Sequence, residues 1–228
     1  MKNWTKTIFL LSMTLMILNG CKKEETTTDN RPTVTDIDGN VYHTVTIGTQ
    51  TWMAENLRTT KYSDGVNIPN VSDDTLWSYA TDGGYCDYNN TPANAAKYGH
   101  LYNWFAASSS HNLAPAGWHI ATDDDWATLA TYLGGDNVAG GKLKESGTGN
   151  WTSPNTGASN ETGFTALPTG YRNFNGAFGG LGEVAQWWSS SEFSLGRGLY
   201  RSVSYDAANL TGGNYIKSSG FSVRCVKD

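Results

Sequence analysis

The second half of this sequence consists of short apolar runs separated by stretches rich in glycine, serine, asparagine and threonine. From residue 134 onward the apolar runs cover residues 164–167, 183–188, 199–205 and 221–226. Short runs bounded by turn-forming residues predict strands, because a helix needs a longer periodic pattern. We therefore expect a small antiparallel sheet whose strands are joined by long irregular loops.

Two segments predict helices, and residues 122–133 give the stronger pattern. Thr122 is a candidate N-cap, Asp125 follows three residues later, and Gly134 ends the pattern. The apolar stripe of this helix consists of Trp126, Leu129, Ala130 and Leu133. Residues 100–107 give the second helical pattern, and residues 34–47 predict a β-hairpin. Together these elements indicate an α+β domain.

The charge balance argues against partners that require a basic surface. The 228 residues include 16 Lys and Arg against 21 Asp and Glu, so the formal net charge is −5. Nucleic acids and anionic bilayer surfaces both bind basic patches. The 26 Gly, 9 Trp and 12 Tyr are typical of a turn-rich extracellular domain. We expect a monomer with no nucleic-acid partner.

The first residues have the pattern of a bacterial lipoprotein signal. Lys2 and Lys6 precede an apolar run at residues 8–18, which is too short to span a bilayer comfortably, and Cys21 follows it. A Cys at this junction resembles a lipobox, whose Cys is acylated and becomes the new N-terminus. We predict a signal peptide at 1–20, lipidation at Cys21, a flexible tether at 21–33 and one domain at 34–228.

The start of the predicted tether also bears on where the protein is located in the cell. Its charged start, residues 22–25, resembles the export signals of surface lipoproteins in Bacteroidetes-type bacteria. We therefore expect an outer-membrane lipoprotein, exposed at the cell surface and held to the membrane by its N-terminal lipid.

Two further cysteines remain if Cys21 carries lipid. An oxidising compartment and an even number of remaining cysteines favour a disulfide between Cys86 and Cys225. Two alternatives stay open at this point: two reduced, buried thiols, or pairing with another chain.

Eight sequence blocks resemble a known family, the Fibrobacter succinogenes major paralogous domain. The blocks lie in order at residues 48–57, 98–104, 117–119, 139–145, 163–168, 170–172, 187–192 and 220–226. The resemblance covers about residues 34–228. It implies a secreted or lipid-anchored bacterial protein, and the biochemical role of the family is poorly defined.

Two of these regions also resemble a wider fold. Residues 117–126 and 220–224 are similar to segments of the formylglycine-generating, sulfatase-modifying branch of C-type-lectin-like domains. This resemblance implies a C-type-lectin-like domain with two helices, a small twisted antiparallel sheet and long loops. Formylglycine-generating chemistry would need two cysteines close in sequence near the C-terminus, and Cys225 has no such neighbour.

Catalytic and metal-binding patterns are missing from the sequence. His43, His100, His111 and His119 have no zinc-like spacing, and we interpret His119 as a structural residue before a helix. Glu145, Glu161, Glu183 and Glu192 are the candidate acids for glycan hydrolysis, and nothing in the sequence pairs them. We predict no enzyme activity, no metal site and no cofactor.

A structural calcium ion stays open as an alternative. Asp73, Asp74, Asp82 and Asp87 lie in loop-like stretches and offer oxygen ligands, but they lack EF-hand spacing. The sugar-binding calcium motifs of true C-type lectins are also absent.

Aromatic and small polar residues near the C-terminus form the predicted ligand site. Such residues suit adaptable binding surfaces, and aromatic faces stack on sugar rings. The predicted ligand-binding residues are Tyr200, Ser202, Ser204, Tyr205, Asn209, Asn214 and Tyr215. We expect Tyr200, Ser202 and Ser204 to face outward on their strand, and at least one of Trp187 and Trp188 to be buried in the core.

These observations predict a lipid-anchored, cell-envelope module that binds an extracellular glycan or protein without catalysis. One alternative is a structural envelope lipoprotein that has no specific ligand. The other is a display protein diversified by a retroelement, because the C-terminal region resembles that of such variable proteins.

Overall fold

The structure, a computed structural model, describes Met1 and residues 29–228. The predicted signal peptide, the lipidation site Cys21 and most of the predicted tether lie outside the described residues. All elements below belong to the unit Arg31–Asp228. In this part of the chain no helix is long and apolar enough to cross a membrane.

Strands dominate the secondary structure of the described residues. The strands β1 to β12 are, in order, Thr33–Thr35, Val41–Ile47, Gln50–Met53, Tyr85–Cys86, Leu101–Tyr102, Trp118–Ile120, Thr169–Arg172, Phe178–Leu181, Val184–Ser194, Arg197–Ser204, Thr211–Ile216 and Cys225–Lys227. The helices α1 to α5 are Asp74–Ser78, Ala93–Tyr98, Trp104–Ala107, Asp123–Tyr132 and Asp136–Leu143. A 3-10 helix covers Tyr88–Asn90.

The first sheet joins the start of the described chain to its end. Its order is β1-β2-β3-β12-β6. Within it, Val226 of β12 pairs with Trp52 on one side and with His119 on the other, both antiparallel. The predicted hairpin at residues 34–47 is confirmed as β1 and β2.

The second sheet has the order β11-β10-β9-β7-β8, and β4 pairs with β5 in a separate two-stranded ladder. Its pairs are antiparallel except for β7 and β9, which run parallel at Gly170 and Ala185. The predicted α+β class is confirmed. The predicted single small sheet and two helices are an underestimate, because the loop-like segments carry short strands and one-turn helices that local patterns do not mark.

Helix α4 confirms the stronger helical prediction. The Thr122 side chain accepts from the Asp125 backbone N–H, and the Asp125 side chain accepts from the Thr122 backbone N–H, which forms a capping box. The other predicted helix, at residues 100–107, shrinks to α3. Leu101 pairs with Cys86 in a strand instead, and Asn103 caps the helix that follows.

Strand β9 passes between two apolar clusters. Trp188 packs in one cluster with Tyr102 and Phe221, whereas Trp187 packs in the other with Trp126. Both tryptophans are fully buried, so the prediction that at least one of them is core is confirmed. Alternate side chains of a strand point to opposite faces, and here both faces are covered.

The predicted disulfide between Cys86 and Cys225 is wrong. Both residues are free and buried, and they belong to different apolar clusters. Burial raises the pKa of the Cys86 thiol to about 12 and also raises that of Cys225. The alternative of two reduced, buried thiols describes the structure.

Candidate functional site

Residues of the resemblance blocks meet inside the protein around Arg224. Its buried Nε donates to Asn56 Oδ1 at 2.6 Å, and its Nη1 donates to the carbonyls of Met53 and Phe164, both at 2.8 Å. Trp187 Nε1 also donates to Asn56 Oδ1, at 2.9 Å. Burial lowers the pKa of Arg224 to about 9. These residues hold the two large sheets and the segment before β7 together.

Two other cationic residues of the resemblance blocks also donate hydrogen bonds to several backbone carbonyls. Arg172 is fully buried and donates to the Val71, Ser72 and Gly176 carbonyls and to Asp74. Lys144 Nζ donates to the carbonyls of Thr156, Ser204 and Ala207 at 2.8–2.9 Å. Burial lowers the pKa of Lys144 to about 8. The blocks therefore supply internal contacts of the fold, which leaves the ligand site to other residues.

All four histidines contact a carboxylate. The pairs are His43 with Glu55, His100 with Asp87, His111 with Asp64, and His119 with both Asp125 and Asp228. No group of three His, Cys, Asp or Glu residues within residues 29–228 converges as metal ligands would.

Six of the eight candidate acids bond to other groups through their side chains. Glu145 accepts from Asn150, Glu161 pairs with Lys142, and Glu192 pairs with Lys217. Asp73 caps α1, Asp74 bonds Arg172 and Asp87 bonds His100. In the described part of the chain, no three of these acids converge as the ligands of a metal ion would.

The seven predicted ligand residues divide into two groups. Tyr200, Asn214 and Tyr215 lie near the turn between β9 and β10, where the rings of Tyr200 and Tyr215 are 6.2 Å apart. Ser202, Ser204, Tyr205 and Asn209 lie toward the opposite end of β10, on the Lys144 side. Tyr200 and Ser204 are about 14 Å apart along the strand, so the two groups do not form one small site.

The expected outward orientation is wrong for two of these residues. Tyr200 is half-buried against Phe221, with ring centroids 5.3 Å apart, and Ser202 is only 8% exposed. Strand β10 is paired at both edges, with β11 and β9, and Tyr200 packs on the apolar cluster that contains Phe221.

The hairpin of β9 and β10 carries exposed apolar residues that the sequence analysis missed. At its tip Leu195 is 94% exposed and Phe193 is 57% exposed. Beside them Arg197 Nη1 donates to Asn214 Oδ1 at 3.1 Å. We define the tip surface as Phe193, Leu195, Arg197, Asn214 and Tyr215. The sequence signal for this surface is the pair Phe193 and Leu195 at a two-residue turn, of which Leu195 and Gly196 are the turn residues.

The base of this hairpin is firmly held by Trp104. Its Nε1 donates to the Ser189 carbonyl at 2.9 Å, and Lys217 Nζ lies 4.1 Å from its ring centre. A Cβ on Gly198 would lie 2.1 Å from the Trp104 ring, so the indole packs directly on the strand. The tip surface is therefore presented on a rigid support.

A second open surface lies on the first sheet. A groove of about 820 Å³ runs between α4 and the turn that joins β2 to β3. Tyr132 and Thr128 line one side, and Gly48 lines the other. Its polar lining includes Asp124 and three threonines. The tip surface has the more exposed apolar anchor, since Leu195 is 94% exposed and Tyr132 in the groove is 65% exposed, so we take the tip surface as the better candidate.

The fold and the tip surface define a small, strand-rich α+β domain that presents an apolar hairpin. The chain belongs to the family of the Fibrobacter succinogenes major domain, whose sequence model matches residues 45–227. The resemblance found in the sequence is thereby confirmed. No curated protein matches the chain, and no solved structure matches it either.

Proposed function

We propose that this protein is a non-catalytic ligand-binding module of the cell envelope, and that the tip surface is its binding site for an extracellular protein or glycan. The observation that carries the proposal is the exposure of Leu195 and Phe193 on an anchored hairpin. Exposed apolar residues grouped on a rigid support are costly to keep in water and are typical of interaction sites.

The chemistry of the tip surface suits such a ligand. Phe193 and Leu195 supply apolar area, whereas Arg197 and Asn214 supply hydrogen-bonding groups beside it. Interfaces combine apolar or aromatic anchors with a polar rim in the same way. Further support for a binding role is the C-type-lectin-like architecture suggested by residues 117–126 and 220–224, which we retain as part of this proposal.

The location is part of the same proposal. The N-terminal pattern ending at Cys21 supports a lipid anchor and an outer-membrane position at the cell surface. A monomer tethered in this way would present the tip surface to extracellular ligands.

The test uses a double variant, Phe193→Ser with Leu195→Ser. Both side chains are exposed, so we expect an unchanged free energy of unfolding and at least tenfold weaker capture on arrays of glycans and envelope proteins, with and without calcium. Tyr79→Ser is the matched control, because it removes an exposed aromatic ring on another part of the surface.

Equal capture by the double variant and the control would remove the tip surface from consideration. If the wild-type protein captures no member of either array, the structural envelope role becomes the better proposal. A mutagenised repeat beside a reverse transcriptase gene would instead support the diversified display protein.

A further inference from the structure

A small cavity lined by cationic side chains lies beside the C-terminal end of α2, away from the tip surface. Its volume is about 80 Å³, and Arg31, Arg58, Lys97 and Arg224 all line it together with Glu55 and Asn56. This concentration of positive charge occurs in a chain whose net charge is −5.

Arg224, which lines the cavity and is buried, has one N–H donor without a hydrogen-bond partner among the described residues. Four of its hydrogen bonds go to Asn56 Oδ1 and to the carbonyls of Met53, Phe164 and Thr165. A guanidinium has five N–H donors. The fifth, on Nη2, has no partner within the described part of the chain. The other four bonds fix the group in place, so this donor is pre-oriented.

The two outer cations have no acidic partner. Arg58 donates to Asn40 Oδ1 at 3.2 Å and lies over the Tyr42 ring, and Lys97 Nζ lies 4.9 Å from the Tyr98 ring centre. Within residues 29–228 neither residue has a carboxylate at ion-pair distance.

The acidic residue in the lining of the cavity, Glu55, is hydrogen-bonded to His43. Glu55 Oε1 lies 2.8 Å from His43 Nδ1, and Glu55 Oε2 accepts from the His43 backbone N–H at 2.8 Å. Glu55 also interacts electrostatically with Arg224, but it is one carboxylate among four cationic side chains, so positive charge is in excess in the lining of the cavity.

We propose that this cavity binds one oxyanion group, such as a phosphate, sulfate or carboxylate, either as a free ion or as the end group of a larger ligand. Guanidinium donors suit oxyanions because their N–H groups match the spacing of the oxygens, and an ammonium adds a further charged donor. A water molecule occupies about 30 Å³ of liquid, so the cavity has room for a single oxyanion group and not for an extended polymer.

The test is isothermal titration calorimetry of the purified full-length protein with sodium phosphate, sodium sulfate and sodium acetate at constant ionic strength. We expect saturable one-to-one binding of at least one of the three anions. Lys97→Gln removes one charged donor and should weaken that binding about tenfold. Lys227→Gln, which removes an exposed lysine outside the cavity lining, should leave the binding unchanged.

Arg58→Gln is a second variant for which we expect a similar loss. If Arg58→Gln does not fold, Lys97→Gln decides the question alone, because its side chain is exposed. Absence of saturable binding for all three anions would overturn the proposal, and so would equal affinities for Lys97→Gln and Lys227→Gln. A phosphoserine peptide that binds more tightly than free phosphate would identify an end group of a larger ligand.

This site is independent of the proposed function. The tip-surface variant Phe193→Ser with Leu195→Ser should bind the anion as the wild type does, and Lys97→Gln should retain its capture on the arrays. The two proposals can therefore fail separately.

Discussion

Three buried cations fix this fold at the level of single residues. Arg172, Arg224 and Lys144 each donate to at least two backbone carbonyls in segments that have few ladder partners. An unsatisfied buried carbonyl costs about 1–3 kcal/mol. One long cation that serves several carbonyls therefore allows irregular segments to be buried.

Replacing Arg224 by Lys should test this role. An ammonium on a shorter side chain cannot reproduce the fork that bonds Asn56, Met53 and Phe164 together. We expect the free energy of unfolding to fall by about 3 kcal/mol, measured by urea denaturation. Arg197→Lys, at an exposed position, is the control and should change it by less than about 0.5 kcal/mol. Equal losses in the two variants would contradict the role.

His119 should make stability depend on pH. Burial opposes its charge, but hydrogen bonds to Asp228 and Asp125 outweigh burial and raise its pKa above the ordinary 6.5. A raised pKa in the folded state stabilises the protein below pH 6.5, and this contribution is lost as the pH rises through the folded value. Urea midpoints between pH 5.5 and 8.5 should therefore decline in the wild type relative to His119→Asn.

Asp228→Asn is the companion variant for this pH dependence. It removes one of the two carboxylate partners of His119 and should reduce the decline without abolishing it, since Asp125 remains at 3.1 Å. A decline of equal size in His119→Asn and in the wild type would assign the dependence to other groups.

Glycines allow close packing at the level of elements. Helix α5 approaches the loop after β10 so closely that a Cβ on Gly140 would lie 2.2 Å from the Asn209 carbonyl oxygen. Lys144, which follows the same helix, donates to the Ser204 and Ala207 carbonyls near that loop. Close contact with neighbouring backbone therefore explains why helix α5 contains two adjacent glycines, Gly140 and Gly141.

Gly140→Ala should destabilise the protein even though Ala is the better helix former by about 1 kcal/mol. The added methyl group would meet fixed backbone atoms, and overpacking of this kind costs about 1–3 kcal/mol. Thermal or urea unfolding measures the loss. Gly149→Ala, where a Cβ meets nothing within 4 Å, is the control and should be close to neutral. A more stable Gly140→Ala variant would show that α5 can move away.

Elements with local signals could be predicted, and those stabilised by distant partners could not. The capping box at Thr122 and Asp125 lies within four residues and predicted α4 correctly. Residues 100–107 also have a helical pattern, but Leu101 pairs with Cys86, a contact that no local pattern reveals. Among the predicted ligand-binding residues, Tyr200 is of a type that suits a binding surface, but its burial depends on Phe221 from another segment.

At the level of the whole molecule, the two free thiols predict that a reducing agent will not change the stability of the fold. Cys86 and Cys225 are buried, and burial raises the pKa of both, so neither forms thiolate near neutral pH. In a Cys21→Ser variant, Ellman's reagent should label almost no thiol in the native state and two thiols in denaturant. An unchanged melting temperature with added reductant would agree, whereas absence of labelling in denaturant would reveal a disulfide.

The sequence identified the class and the family but not the arrangement of the sheets. Short apolar runs predict strands wherever they occur, yet their pairing depends on contacts such as that of Trp52 with Val226. The predicted disulfide is wrong for the same reason, because the pairing of cysteines also depends on how distant segments pack. Two cysteines remain when Cys21 is set aside, and only the packed structure shows that Cys86 and Cys225 lie in separate clusters.

The position of β12 between β3 and β6 has a consequence for how the chain is made. Arg224 and Met53 are joined by a hydrogen bond across 171 positions, and β12 completes the first sheet. A ribosome releases the early strands long before residues 225–227 exist. Until residues 225–227 emerge, β3 and β6 each lack their shared neighbour, so the first sheet can be completed only after they have left the ribosome.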